Sequence, residues 1–197
     1  MTKGGERRNI RATIKKLGKG LGMRVCVAGT GFFSQFHYEA WRRLGVNVVG
    51  VCSLDQVTAQ ARADDFPNCR AFDDFPRMLD EMAPDLVDIV TPPPTHLGFV
   101  SETMRRRIST ICQKPFTGTL EDARTAAGLA EAAGVMLVVH ENFRFQPWYR
   151  EIRRQLLKGT VGELYQITFR LRPGDGQGPD AYLGRQPYFQ KMPKFLI

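Results

Sequence analysis

Downstream of Met23 the chain alternates short apolar runs with stretches of helical period, and this alternation constrains the fold more than any other feature. Strand-like runs fall at 23–28, 46–52, 70–72, 85–90, 108–112 and 135–139. Helical stretches occupy 34–44, 56–65, 75–81, 95–106 and 120–133 between them. Strands separated by helices of this length build βαβ units, hence a parallel sheet with helices on both faces. Such strands are buried on both sides, which accounts for the unbroken apolar runs VNVVGVC and VMLVV. After His140 the texture changes. HENFRFQPW is aromatic and polar, 148–157 reads as an amphipathic helix, and 162–171 alternates as a strand. Beyond Pro173 the sequence is rich in glycine and proline and shows no clear element. One strand cannot close a second sheet, so the expected class is α/β: a doubly wound parallel sheet followed by the incomplete start of another α/β domain. The expected division is a basic leader at 1–22, a first domain at 23–141 and a partial second at 142–197.

The net charge of +8 resembles a nucleic-acid signal until it is located. Residues 1–22 carry +6 of it, leaving +2 on the rest of the 197-residue chain, so the body is not a polyanion binder by charge. In the leader, Ile10, Ile14, Leu17 and Leu21 share a helical stripe opposite Arg8, Arg11, Lys15 and Lys19. A basic amphipathic helix of this kind can lie on a membrane or touch nucleic acid. Gly18, Gly20 and Gly22 oppose it, each costing about 1 kcal/mol of helix propensity relative to Ala, and a second methionine sits at Met23. A dispensable, disordered leader is the expectation, with no nucleic acid or membrane among the partners. No apolar segment follows the leader's charges as in a secretory signal, and no run is long enough to span a bilayer. Cys26, Cys52, Cys69 and Cys112 form no CxxC pair, and three lie in or beside strand-like runs, where buried free thiols are the rule. A reduced, cytoplasmic protein without a metal site is expected.

The sharpest local signal is Gly29-Thr30-Gly31-Phe32-Phe33-Ser34, directly after the first strand and opening a helix. Gly29 permits the tight turn and Gly31 lets backbone approach a pyrophosphate, which the helix N-terminus then faces with unpaired N–H groups. Ser34 replaces the third glycine of this fingerprint and is expected to loosen helix–strand packing slightly. A carboxylate for the adenosine ribose belongs at the end of the second strand, where the sequence reads Val51-Cys52-Ser53-Leu54-Asp55. Ser53 takes its place. Asp55 either reaches the ribose or caps the next helix, and the choice between NAD and NADP stays open. Thr91-Pro92-Pro93-Pro94-Thr95-His96 follows the fourth strand; its prolines can wall a cofactor crevice and Thr95 can cap the next helix. His96 faces the crevice or is an ordinary hydrogen-bonded surface residue. Gln113-Lys114-Pro115 ends the fifth strand, where a lysine can hold a cofactor or polarise a substrate hydroxyl, or simply face solvent.

Taken in order, AGTGFFS, TPPPTH, CQKPF and HENFRFQPW resemble the glucose–fructose oxidoreductase, inositol dehydrogenase and MocA (Gfo/Idh/MocA) family over 23–197. The resemblance implies a Rossmann domain and a C-terminal α/β domain whose open sheet carries a sugar-like substrate and often a homo-oligomer interface. It implies NAD or NADP held by Gly29, Thr30, Gly31, Phe32 and Phe33, with Ser53 beside the adenosine ribose. Thr91, Pro92, Pro93 and His96 would line the nicotinamide side, Lys114 would assist catalysis there, and Asn142 and Arg144 would meet the substrate. Two departures stand out. Gln113 replaces the family's Glu, and the family's downstream Gly-x-His-x-x-Asp segment has no counterpart, since none of His37, His96 or His140 occupies its place. The leading expectation is an NAD(P)-dependent oxidoreductase of a sugar, polyol or related hydroxyl compound, cut in its catalytic half and weak or inactive alone. The alternative is a non-catalytic dinucleotide-binding or regulatory protein.

Overall fold

The computed structural model describes residues 22–170 together with 178, 181 and 184. The leader, apart from Gly22, and nearly all of the glycine-rich stretch beyond Pro173 lie outside the described residues. These divide into two compact units, the first running to His140 and the second starting at Glu141.

The first unit is built on parallel strands β1 (Arg24–Ala28), β2 (Asn47–Cys52), β3 (Arg70–Phe72), β4 (Leu86–Ile89), β5 (Ser109–Gln113) and β6 (Leu137–His140). They lie in the order β3-β2-β1-β4-β5-β6. The helices are α1 (Ser34–Arg43), α2 (Gln56–Ala63), α3 (Phe75–Met82), α4 (His96–Arg105) and α5 (Leu120–Ala133). Side-chain alternation sorts the core into two layers. Val25, Val27, Val48 and Val51 meet Tyr38 and Trp41 of α1 and Ala59 and Ala63 of α2. Cys26, Ala28, Val87 and Ile89 meet Met78 and Leu79 of α3, Val100 and Met104 of α4, and Ala126 and Ala130 of α5. The β1–β2 register shifts between Val25 and Cys26, so that Cys26 pairs with Gly50 rather than Val49. Gly50 packs tightly there: a Cβ would come within 2.9 Å of the Cys26 sulfur and 3.1 Å of the Met78 side chain, so those side chains would have to shift to admit it.

Local chemistry sets most element ends. Asp74 and Thr119 accept first-turn N–H groups of α3 and α5, and Gly134 ends α5 in a left-handed conformation at φ 65°. Cys26, Cys52 and Cys112 are buried and Cys69 is half-buried, all as free thiols. Burial pushes the Cys52 thiol up to about 11 and Cys69 to about 12, which leaves both inert at neutral pH.

The second unit holds a 3-10 turn at Asn142–Phe145 and α6 (Pro147–Leu157). The strand expected at 162–171 does not form over the described residues 162–170. Leu164, Tyr165, Ile167 and Phe169 are all exposed there. Alternation alone does not make a strand, because its backbone needs a neighbouring strand to pair with, and none of the described residues supplies one. Among the described residues no helix is long and apolar enough to cross a membrane.

Candidate functional site

The strand order reverses between β1 and β4, and in open parallel sheets ligands bind beyond the carboxyl ends of strands at such a switch point. Gly29 stands at the end of β1 and Val90 just beyond β4. Gly29 has φ +112°, and a Cβ there would lie 2.4 Å from the Val90 carbonyl oxygen. Its N–H donates to the Cys52 carbonyl at 2.9 Å, while its own carbonyl accepts from the Tyr38 hydroxyl at 2.9 Å. The turn is thus held from β2, β4 and α1 at once. Gly31, two residues on, has open space where its Cβ would be. The first glycine is required by the protein's own backbone, and the second leaves the approach to α1 clear. Phe33 precedes α1 without any side-chain bond to its first turn, which carries no acidic residue, so the positive helix end has no carboxylate of its own. Ser34, in the place of the third glycine, is fully buried, and its hydroxyl donates to the Gly31 carbonyl at 2.7 Å.

Beside this turn, the Thr30 hydroxyl lies 2.8 Å from that of Ser53 and 2.9 Å from that of Thr58. Thr58 carries no local signal in the sequence, because α2 brings it there only once the sheet has formed. The two readings of Asp55 resolve toward a helix cap, since Oδ1 accepts from the N–H groups of Val57 and Thr58 at 2.9 and 3.4 Å.

The loop after β4 departs from expectation. Thr95 does not cap α4; its hydroxyl lies 2.8 Å from both the Thr91 hydroxyl and the Pro92 carbonyl. Pro92 is exposed, whereas Pro93 is buried. His96 neither lines the crevice nor sits on the surface. It is fully buried, with Nδ1 2.8 Å from the Phe116 carbonyl and Nε2 2.7 Å from the Thr91 carbonyl. Its ring sits between the β4 and β5 loops, where the neutral form can donate to one of the two carbonyls, and neither nitrogen opens toward a ligand. Burial lowers its pKa, and the carbonyls facing the ring oppose that shift without reversing it. The folded state therefore prefers neutral His96. Its stability is whole above the ordinary histidine value of about 6.5 and declines as pH falls below it. Urea midpoints should drop between pH 7.5 and 5, and His96→Gln should flatten that slope. An identical slope in the variant would assign the pH dependence elsewhere.

Lys114 is half-buried at the end of β5, with its Nζ 5.7 Å from the centre of the Phe33 ring. Residues 81 positions apart in sequence thus meet at the mouth of the crevice. Behind them lies a buried polar chain that the sequence reading missed. Asp88 Oδ2 accepts from Trp41 Nε1 at 2.7 Å and contacts His37 Nδ1 at 2.8 Å. His37 Nε2 meets Gln113 Nε2 at 2.9 Å, and Gln113 Oε1 accepts from the Lys114 N–H at 2.7 Å. The signals were present: a carboxylate inside the apolar run LVDIV, and His37 and Trp41 four residues apart on one helix face. In the second unit, Arg144 is exposed with its guanidinium 5.4 Å from the Phe145 ring centre, and Asn142 is half-buried in the same turn.

Strand order, glycine turn and open helix end together define a dinucleotide-binding domain of the Rossmann class. The chain belongs to the Gfo/Idh/MocA oxidoreductase family, whose NAD-binding Rossmann fold matches residues 23–141. It is 37% identical over 172 residues to a D-apiose dehydrogenase of Paraburkholderia graminis, covering 86% of this chain and 44% of that one. It is 28% identical over 150 residues to the D-glucoside 3-dehydrogenase of Escherichia coli, covering 75% of this chain and 43% of the relative. The chain thus spans under half the length of these relatives. An oxidoreductase from Agrobacterium radiobacter, solved with NAD+, L-tartaric acid and magnesium, superposes with TM-score 0.68 at 30% identity over 72% of this chain and 42% of that one.

Proposed function

We propose that this chain is the cofactor-binding half of an oxidoreductase that moves a hydride between a nicotinamide dinucleotide and a carbon bearing a hydroxyl on a sugar or polyol. The observation that carries this reading is the Gly29 turn, jammed against Val90 while Gly31 is left open before α1. Gly29, Thr30, Gly31, Phe32 and Phe33 would hold the pyrophosphate and Ser53 the adenosine ribose. Thr91, Pro92 and Pro93 would border the nicotinamide. Bound there, the dinucleotide supplies hydride donor and acceptor chemistry. Lys114 would donate a hydrogen bond to the substrate hydroxyl oxygen, favouring loss of its proton as the carbon is oxidised. Residues 142–197 would open the substrate domain, with Asn142 and Arg144 on its substrate side. The named sugar dehydrogenases among the relatives support this substrate class, and a soluble, cytoplasmic homo-oligomer is the matching proposal for the whole protein.

The test is calorimetric titration of the full chain with NAD, NADH, NADP and NADPH. Binding by at least one dinucleotide, lost on Gly31→Val, is the expected result. No heat and no thermal shift with any of the four at millimolar concentration would end the proposal.

A further inference from the structure

The buried chain from Trp41 to Lys114 settles its own proton positions. The Lys114 N–H can only donate, so the Gln113 amide must turn its oxygen toward it, at 2.7 Å. That leaves the Gln113 NH2 facing His37 Nε2 at 2.9 Å, and an NH2 can only donate. Nε2 must then be bare, which puts the His37 proton on Nδ1, where it donates to Asp88 Oδ2 at 2.8 Å. Trp41 Nε1 donates to that same oxygen at 2.7 Å. Every link has one consistent direction, from an indole and an imidazole into a carboxylate and from an amide into the imidazole. The groups packed on His37 come from four elements: Asp88 from β4, Gln113 from β5, His140 from β6 with ring centres 4.6 Å apart, and Phe33 at the head of its own helix. Lys114 Nζ lies over the Phe33 ring.

We propose that Asp88 and His37 are positioning residues for Lys114, acting through Gln113: Asp88 holds His37 as the Nδ1–H tautomer, whose bare Nε2 fixes the Gln113 amide with its oxygen on the Lys114 backbone. A His37 protonated on Nε2 would present N–H to NH2. The amide would then turn over and release the Lys114 N–H. Gln113 is therefore a working part of this arrangement. A glutamate there has no proton to give Nε2, so it would draw a second proton onto His37 while still accepting from Lys114. This role rests on Lys114 being a cofactor-side residue, as proposed above, and the hydrogen-bond direction does not.

The experiment uses the full chain labelled with 15N, reading the imidazole nitrogens, the hydrogen exchange of the Lys114 amide, and the affinity for NADH. Wild-type His37 should show a protonated Nδ1 and a bare Nε2 at pH 7. Gln113→Glu should convert His37 to imidazolium at that pH and keep the Lys114 amide protected. His37→Phe should raise Lys114 exchange and weaken NADH binding, each about tenfold, the scale of one lost buried hydrogen bond. A merely structural role would leave the Lys114 amide protected in a folded His37→Phe. An Nε2–H tautomer in the wild type, a neutral His37 in Gln113→Glu, or unchanged Lys114 exchange in His37→Phe would each overturn the proposal. If His37→Phe does not fold, Lys114 exchange in His37→Leu decides in its place. Failure of the wild type to bind any of the four dinucleotides would sink the dinucleotide reading, and the imidazole spectra would still decide the hydrogen-bond direction.

Discussion

Gly29→Ala should lower stability by about 3 kcal/mol or more and abolish dinucleotide binding. Two costs combine. A non-glycine residue held in a sparsely populated region such as φ +112° costs about 1–3 kcal/mol. The new Cβ would also lie 2.4 Å from the Val90 oxygen and 2.8 Å from its carbonyl carbon. Overpacking of this kind adds about 1–3 kcal/mol. Val90 cannot simply withdraw, because its N–H bonds the Ala28 carbonyl at 2.7 Å, one residue before the glycine. Relief must come from parting β1 and β4 at the switch point, which is also where the proposed site lies. For a chain of this size the melting temperature should fall by roughly 6–12 °C. Gly31→Ala is the contrast. Its Cβ meets nothing within 4 Å, so its melting temperature should stay near that of the wild type while dinucleotide affinity falls. Thermal melts and NADH titrations on the pair check this. A Gly29→Ala variant melting within about 2 °C of wild type would contradict it.

Asp88→Ala is the second large effect. Asp88 is fully buried in β4, and its Oδ2 is the acceptor for Trp41 Nε1 and His37 Nδ1. Alanine leaves both donors buried and unpaired, at about 1–3 kcal/mol each, so a loss of about 3 kcal/mol is expected. Asp88→Asn should cost clearly less. Its carbonyl can take both donors, and its NH2 replaces Oδ1, a buried oxygen that has no hydrogen-bond partner among the described residues. Denaturant unfolding of the two variants distinguishes these cases. Equal losses would mean that the charge of Asp88, rather than its acceptor geometry, is what the fold uses.

Much of the domain was legible because its signals are local. The predicted strand 70–72 and helix 120–133 match the observed elements, and the other elements of the first unit differ by one to three residues at their ends. Most of those differences are single residues at an element's end, where helices fray and strand pairing tapers into the adjoining loop. One expectation that failed concerned 162–171, where a correct reading of alternation met no strand to pair with among the described residues. His96 failed differently. As a polar residue in the first turn of a helix it read as open to solvent or to the crevice, and only the meeting of the β4 and β5 loops buried it between two carbonyls.

The sequence by itself determined the class of fold, the glycine turn and the lysine at a strand end, because periodicity and backbone conformation are properties of neighbouring residues. Tertiary structure alone decided which distant side chains share a hydrogen bond. His37 meets Asp88 from 51 residues away and Gln113 from 76. Those encounters exist because the sheet sets β1 beside β4 and β4 beside β5, with α1 packed across them. A carboxylate in a strand, a histidine on a helix and an amide at a strand end are individually unremarkable in a sequence. Buried together, each must satisfy the others, and that requirement gives them a single arrangement.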